Sequence, residues 1–414
     1  MGAVKDKTTS WSSPGAPPMT HRERILAALQ GRPVDRLPWV PRLDLWYNAN
    51  RYCGTLPREW ADASLPEIIA DLGVGRHEVI PDFLDTEHPD EGCDRALGIE
   101  HCRNQPYRLR FRRTERIVER SGDELRVTWR TPVGEVSAKL LYTEQMRRDG
   151  VTLMHVSERV VKRPEDYDII GFIFEDLEVV TDGGRYGELR DEVGDTGIAV
   201  AYCNVAASPV HHLLKELVPY DQFFYDLHDD PQLILRTAAH MEGYFEQVIE
   251  ACASSEAEVV LLGANYDVSL TTPPIFAEHI APMLSHAADR LHTAGKLLAT
   301  HTDGENDGLC GFYVQCGVDV ADSVCPAPMT RLSLAEYRRE FGTRPAIWGG
   351  VCSVSVLPES MSDDEFEAHL DEVIAAAGDG RGIIFSIADT TPPAASPARI
   401  RRIGERLSGF GAVE

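Results

Sequence analysis

Eight short apolar runs, most of them uninterrupted, constrain what this chain can fold into more than any other feature. They are "LPWVPRLD" (37–44), "HEVIPD" (77–82), "GIAVAYCN" (197–204), "EVVLLGAN" (258–265), "KLLATH" (296–301), "VDVADSV" (318–324), "PAIWGG" (345–350) and "GIIFSIAD" (382–389). A strand with one wet face alternates apolar and polar residues. A continuous run marks a strand buried on both faces, as in a parallel sheet covered by helices. From the third run onward, helical stretches at 209–219, 231–254, 274–294 and 362–377 alternate with the runs. Helix starts carry the capping-box pattern at "THRE" (20–23), "SLPE" (64–67), "SLAE" (333–336) and "SDDE" (362–365). Three of these helices run toward glycines suited to a left-handed C-terminal turn, in "LG" (72–73), "FG" (341–342) and "AG" (377–378). Eight strands with intervening helices predict a (β/α)8 TIM barrel, with an open doubly wound sheet as the alternative. The 414 residues, 43% of them hydrophobic, suit one large barrel.

Two regions break the rhythm. Residues 107–161 alternate with period 2 and turn at "SGDE" and "TPVGE". They read as an antiparallel hairpin insertion between barrel strands 2 and 3, either a solvated face or a lid over the site. Residues 1–19, rich in Ser, Pro and Gly, read as a disordered leader, so the barrel spans 20–414. The leader has no apolar core of a signal peptide, and Asp6 breaks the myristoylation pattern that "MGAVKD" otherwise suggests.

Composition narrows function. With 66 acidic against 41 basic residues the formal charge is −25, which argues against non-specific binding to nucleic acid or an anionic membrane. The nine cysteines are odd in number and form no CxxC, as expected of a reduced, cytoplasmic protein. No run reaches a membrane span, and there is no P-loop, dinucleotide fingerprint or nucleophile elbow.

A parallel barrel builds its site at the C-terminal strand ends. Read in order, those ends offer Asp44, Asp82, Asn204, Asn265 with Asp267, His301 with Asp303, Asp322, Gly350 and Asp389. In "LLATHTDGENDG", His301 and Asp303 stand two positions apart and so share a side of the extended chain. With Asp389 they make an N/O set suited to a divalent metal, zinc or a harder ion. His211 and His212 open a helix from which one of them can face the site. Cys352 reads as a buried packing residue or a soft ligand.

The chain resembles the uroporphyrinogen decarboxylase-like superfamily, which includes corrinoid-linked methyltransferases and O-demethylases. The resemblance spans roughly residues 19–408. It rests on "MTHRERILAALQGRPVDRLPWVP", "LKELVPYDQFFYDLHDDPQLI", "LHTAGKLLATHTDG", "CGVDVADSV", "AIWGGV" and "GIIFSIADTTPP". It implies the barrel independently of the strand count. In the decarboxylase branch an arginine-rich segment after the first strand grips substrate carboxylates, and an Asp closes the second strand. Asp82 matches that Asp, but "PRLDLWYNANRY" (41–52) keeps only Arg42 and Arg51. In the methyltransferase branch a His-x-Cys and a later Cys hold zinc. Here His301 matches, while Asp303 and Asp389 replace both thiolates.

The expectation is therefore a metal-dependent demethylase-type enzyme. It would move a methyl group from a small O- or N-methylated substrate to a corrinoid protein or another acceptor. His301, Asp303 and Asp389 would hold the metal. Asp82, Asp267 and His211 or His212 would orient substrate or shuttle protons. Arg42, Asp44, Asn204 and Asn265 would contact substrate, and Trp46 and Tyr47 would wall it. The alternatives are a decarboxylase of uroporphyrinogen or a smaller acid, and a non-catalytic binding barrel. A homodimer is compatible with all three.

Overall fold

The computed structural model describes residues 18–181 and 184–413; all but the last two residues of the expected leader lie outside them. The fold is mixed α/β around a parallel sheet. Six strands lie side by side in chain order: Ala201–Asn204, Val259–Ala264, Leu297–His301, Val320–Val324, Ala346–Cys352 and Ile383–Ala388. The last five contain almost nothing but buried residues, which is why their sequences do not alternate. Each fully buried Val, Leu or Ile in them contributes about 1.5–3 kcal/mol of apolar transfer.

Backbone bonds continue from both edges. Gly197–Ala199, just before the first of the six strands, pairs in parallel with Arg76–Glu78. At the other edge Val40 N donates to Phe385 O (2.8 Å), and Phe385 N to Pro38 O (2.9 Å). Gly75 N donates to Trp39 O (2.9 Å). The first apolar run thus forms only an isolated bridge at Trp39 rather than a strand to 44. Pro38 and Pro41 each lack a donor for a ladder, and Asp44 opens the helix Asp44–Cys53 instead of closing a strand.

All four capping-box motifs cap helices, namely His21–Leu29, Leu65–Leu72, Leu334–Phe341 and Asp363–Ala376. The 107–161 stretch is antiparallel. Glu115–Ser121, Glu124–Thr131, Gly134–Leu141 and His155–Glu158 form one sheet. Tyr107–Phe111 instead pairs with Leu177–Thr181. Among the described residues no helix is long and apolar enough to cross a membrane.

Candidate functional site

His301 is the last residue of its strand, and its neighbour in register on the next strand is Asp322. That pairing brings Asp322 Oδ2 to 2.6 Å from His301 Nδ1. Because Nδ1–H donates to the carboxylate, the ring is fixed with Nε2 facing outward. Nε2 meets Asp389 Oδ1 at 3.2 Å and Asp303 Oδ1 at 3.8 Å. Ligand atoms of His301, Asp303 and Asp389 all lie within 4.8 Å of one another.

Each carboxylate is held from outside. Ser323 Oγ donates to Asp389 Oδ1 at 3.0 Å, and Arg42 Nη1 reaches the same oxygen at 3.3 Å. Asn265 Nδ2 donates to Asp303 Oδ2 at 2.8 Å. Asn265 and Ser323 both adopt positive φ, 57° and 61°. Non-glycine residues accept that strain only where the surroundings enforce it, commonly at functional sites. The second oxygen of Asp303 is buried and has no hydrogen-bond partner.

Charge completes the picture. Burial alone would depress the His301 pKa. The charge of Asp303, and hydrogen bonds from Asp322 and Asp389, reverse that and raise it to about 10. Burial would raise Asp322, but its bond to His301 and the nearby His77, 3.8 Å away, bring it down to about 2. Among the described residues, Asp44, Asp303, Asp322 and Asp389 face Arg42, His301 and, 3.8 Å from Asp322, His77. The centre is short of positive charge, and two carboxylate oxygens, Asp303 Oδ1 and Asp322 Oδ1, lack a hydrogen-bond donor. One imidazole nitrogen and two carboxylates in this arrangement fit a divalent cation, which would take the place of the Nε2 proton.

His301 and Asp389 line a cavity of about 220 Å³ with Arg42, Asp44 and Asn265. Its apolar walls are Leu45, Ile80, Phe83, Tyr202 and Val205, and residues 150–153 from the end of the antiparallel excursion cover one side. Gly150 makes that approach feasible, because a Cβ there would stand 2.3 Å from Leu45 O.

Several expected site residues lie elsewhere. Trp46 and Tyr47 are buried; Trp46 packs edge-on against Trp60, and the Tyr47 hydroxyl donates to Ala63 O. The helix presents Leu45 to the cavity in their place. Asn204 is buried against Ala206 O and His212 Nδ1. His212 Nε2 bonds Leu97 O at 2.7 Å, so Nδ1 is the unprotonated nitrogen that accepts from Asn204. His211 Nδ1 accepts from Ala207 N, and the ring stacks on Tyr266. Burial lowers His211 to about 3 and His212 to about 4, so both are neutral packing residues. Asp267 caps its own turn by accepting from Ser269 N. Asp82 does the same with Leu84 N, at the rim beside the cavity residue Phe83. Arg51 bonds the Tyr47 hydroxyl. The Cys352 thiol lies 3.5 Å from His369 Nε2, and burial raises its pKa.

Sequence reasoning missed Arg95, Glu100 and Lys215, which also line the cavity. None closes a strand. Arg95 lies on the 3₁₀ turn Glu91–Leu97 and Lys215 on the π turn Leu213–Leu217, neither of which leaves a periodic signature.

Fold and site together define an α/β protein with a His–carboxylate centre at the C-terminal ends of a parallel sheet. The chain belongs to the uroporphyrinogen decarboxylase (URO-D) family, whose sequence model matches residues 160–408, more than half of its length. Among solved structures, a methyltransferase from Methanosarcina mazei is similar, with a TM-score of 0.53 at 15% identity, over 95% of this chain and 99% of that one. That likeness speaks to the fold. No curated protein sequence matches the chain.

Proposed function

We propose that this protein is a metal-dependent methyl-transfer enzyme of the demethylase kind. It takes the methyl group of a small O- or N-methylated substrate and delivers it to a corrinoid carried on a partner protein or to another nucleophilic acceptor. The observation that carries the reading is the convergence of His301, Asp303 and Asp389, two of which, His301 and Asp389, line a small cavity. That convergence weighs against a non-catalytic binding barrel. In the same reading the eight apolar segments close as a (β/α)8 barrel through the Trp39–Phe385 and Gly75–Trp39 bonds, with the antiparallel stretch as an insertion that supplies the cavity cover. Residues 20–414 then form one domain, and the enzyme works in the cytoplasm.

When bound, the divalent ion, with zinc the first choice, supplies Lewis-acid polarisation of a substrate heteroatom. The rest falls to the chain's own side chains. Asp322 orients His301, Ser323 and Arg42 fix Asp389, and Asn265 fixes Asp303. Leu45, Ile80, Phe83 and Val205 exclude water around the reacting group.

Elemental analysis of the purified protein tests the reading. Wild type is expected to carry about one divalent ion per chain, and His301→Ala to lose both the ion and methyl transfer. Wild-type protein that binds no divalent ion after incubation with zinc sinks the proposal.

A further inference from the structure

The cavity that His301 lines also holds a second cluster of charges. Glu100 is only 6% exposed and lines the cavity, yet neither of its carboxylate oxygens has a hydrogen-bond partner. Arg95 stands 3.9 Å from it and is tied at its other side to Glu216, with Nε left unpartnered. Lys215 also lines the cavity, and its ammonium meets Val205 O and Glu216 Oε1, both at 3.5 Å. The π turn Leu213–Leu217 carries both Lys215 and Glu216, and such turns recur at functional sites. The titratable groups around Glu100 are Arg95, Lys215, Glu216 and His101, with Tyr202, Tyr244 and Cys102 also within its field. Two cations thus stand against one committed carboxylate, Glu216, and one carboxyl without a hydrogen-bond partner.

We propose that Glu100, in its protonated form, together with Lys215 and Arg95, forms a subsite for a carboxylate on the substrate. The substrate is then a small acid that carries its methylated heteroatom at the other end, toward His301. The carboxyl of Glu100 donates its proton into a hydrogen bond with one carboxylate oxygen of the ligand, and the Lys215 ammonium and Arg95 Nε–H supply the others. Neutral Glu100 leaves the cluster one positive charge in excess, which the ligand balances. Ionised Glu100 cancels that excess and repels the ligand. Burial is the first cause that raises Glu100, and the Glu216 charge adds to it against Arg95 and Lys215, with the carboxyl titrating at about 7. Carboxylate binding should therefore weaken as pH rises through neutrality and should draw in a proton. The inference rests on the methyl-transfer reading only for which end of the substrate reacts.

Calorimetric binding of methoxyacetate and of neutral methoxyacetamide to the metal-loaded protein, at pH 6 and pH 8, tests it. Methoxyacetate should bind wild type about tenfold more tightly at pH 6, because a group titrating near 7 passes from mostly protonated to mostly ionised across that interval. At pH 8 binding should take up close to one proton, read from buffers of different ionisation enthalpy. Glu100→Gln should lose the pH dependence while keeping His101, and Lys215→Met should weaken methoxyacetate but not methoxyacetamide. Should Glu100→Gln fail to fold, the infrared carbonyl band of a protonated carboxyl, gained by wild type on adding methoxyacetate at pH 8, carries the same information. Equal binding of acid and amide, a pH dependence that survives Glu100→Gln, no saturable methoxyacetate binding, or no such infrared band overturns the proposal. His301→Ala should abolish methyl transfer yet keep pH-linked methoxyacetate binding, and loss of that binding also counts against a separate subsite. If wild type binds as described but transfers no methyl group, the functional reading fails while the carboxylate subsite stands.

Discussion

At the scale of single residues, Asp322 is the most informative side chain to change. It touches no proposed ligand atom of the cavity, but its 2.6 Å bond fixes the orientation of His301. Second-sphere carboxylates of this kind typically change metal affinity 10–100-fold. Asp322→Asn is therefore expected to weaken zinc binding by about that factor without emptying the site, as a competition titration with a chromophoric chelator would show. An unchanged affinity removes Asp322 from the centre. Glu100 makes a different prediction. Its folded pKa of about 7 lies above the unfolded carboxyl value, so its ionisation opposes folding. Stability linked to it is full below the unfolded value and falls as pH rises through about 7. Replacing it with Gln removes that cost, and Glu100→Gln should be the more stable protein at pH 8 by up to roughly 3 kcal/mol, with little difference at pH 4.5, as urea unfolding can check. These residues also mark what the sequence could disclose. His301, Asp303 and Asp389 were legible because strand ends place side chains by simple geometry. His211, His212, Trp46, Tyr47 and Asn204 were misplaced because their chemistry is equally suited to buried packing, and only the neighbours decide. Asp82 and Asp267 close their own turns, the ordinary use of Asp after a strand.

At the scale of elements, the strands and capped helices declared themselves because each is specified locally. A strand buried on both faces needs a continuous apolar run, and a helix N-terminus needs an acceptor for its free N–H groups. Ser333 illustrates the second point: it accepts from Glu336 N while Glu336 returns a bond to Ser333 N. Ser333→Ala should cost about 1 kcal/mol of stability and leave metal content unchanged, since its helix carries no proposed ligand. The turn after the Leu297–His301 strand is more demanding. A Cβ on Gly304 would lie 2.0 Å from Tyr266 O, so Gly304→Ala must push apart the backbone that presents Asp303. The expected outcome is a stability loss of order 1–3 kcal/mol together with loss of the metal. Full metal occupancy in Gly304→Ala would show that the turn does not position Asp303. The 3₁₀ turn of Arg95 escaped the sequence because it has no period; the stretch 209–219 reads as helix without disclosing the π turn that carries Lys215, and the run 37–44 reads as a strand where only a bridge at Trp39 forms. Tertiary context alone brings them to one cavity.

At the scale of the whole molecule the question is which reaction the family's scaffold runs here. A porphyrinogen carries many carboxylates, and each one buried without a partner costs several kcal/mol. Such a substrate calls for a wide cleft with several converging bases. The cavity has about 220 Å³ and is lined by three cations, Arg42, Arg95 and Lys215. Arg42 is already engaged with Asp44 and Asp389, and Arg95 with Glu216. Arg95 and Lys215 share the single carboxylate of Glu216, which leaves charge for one substrate carboxylate rather than eight. The overall charge of −25 adds a long-range barrier to a polyanion. These features accord with the proposed methyl transfer from a small substrate, and Asp82 discriminates between that reaction and uroporphyrinogen decarboxylation. If decarboxylation is the reaction, Asp82 must engage the substrate directly, and Asp82→Asn should abolish turnover. If methyl transfer is the reaction, Asp82 stands at the rim, capping the turn beside Phe83. Asp82→Asn should then lower kcat/KM by no more than about tenfold, because Asn can still accept from Leu84 N, and zinc content should stay the same. Assays of both reactions on the same two preparations, with and without a chelator, decide it. Uroporphyrinogen consumed by the purified wild type at a chelator-independent rate, with Asp82→Asn inactive, would transfer the cavity to the decarboxylase branch. A chelator-sensitive methyl transfer that survives in Asp82→Asn would assign it to the other.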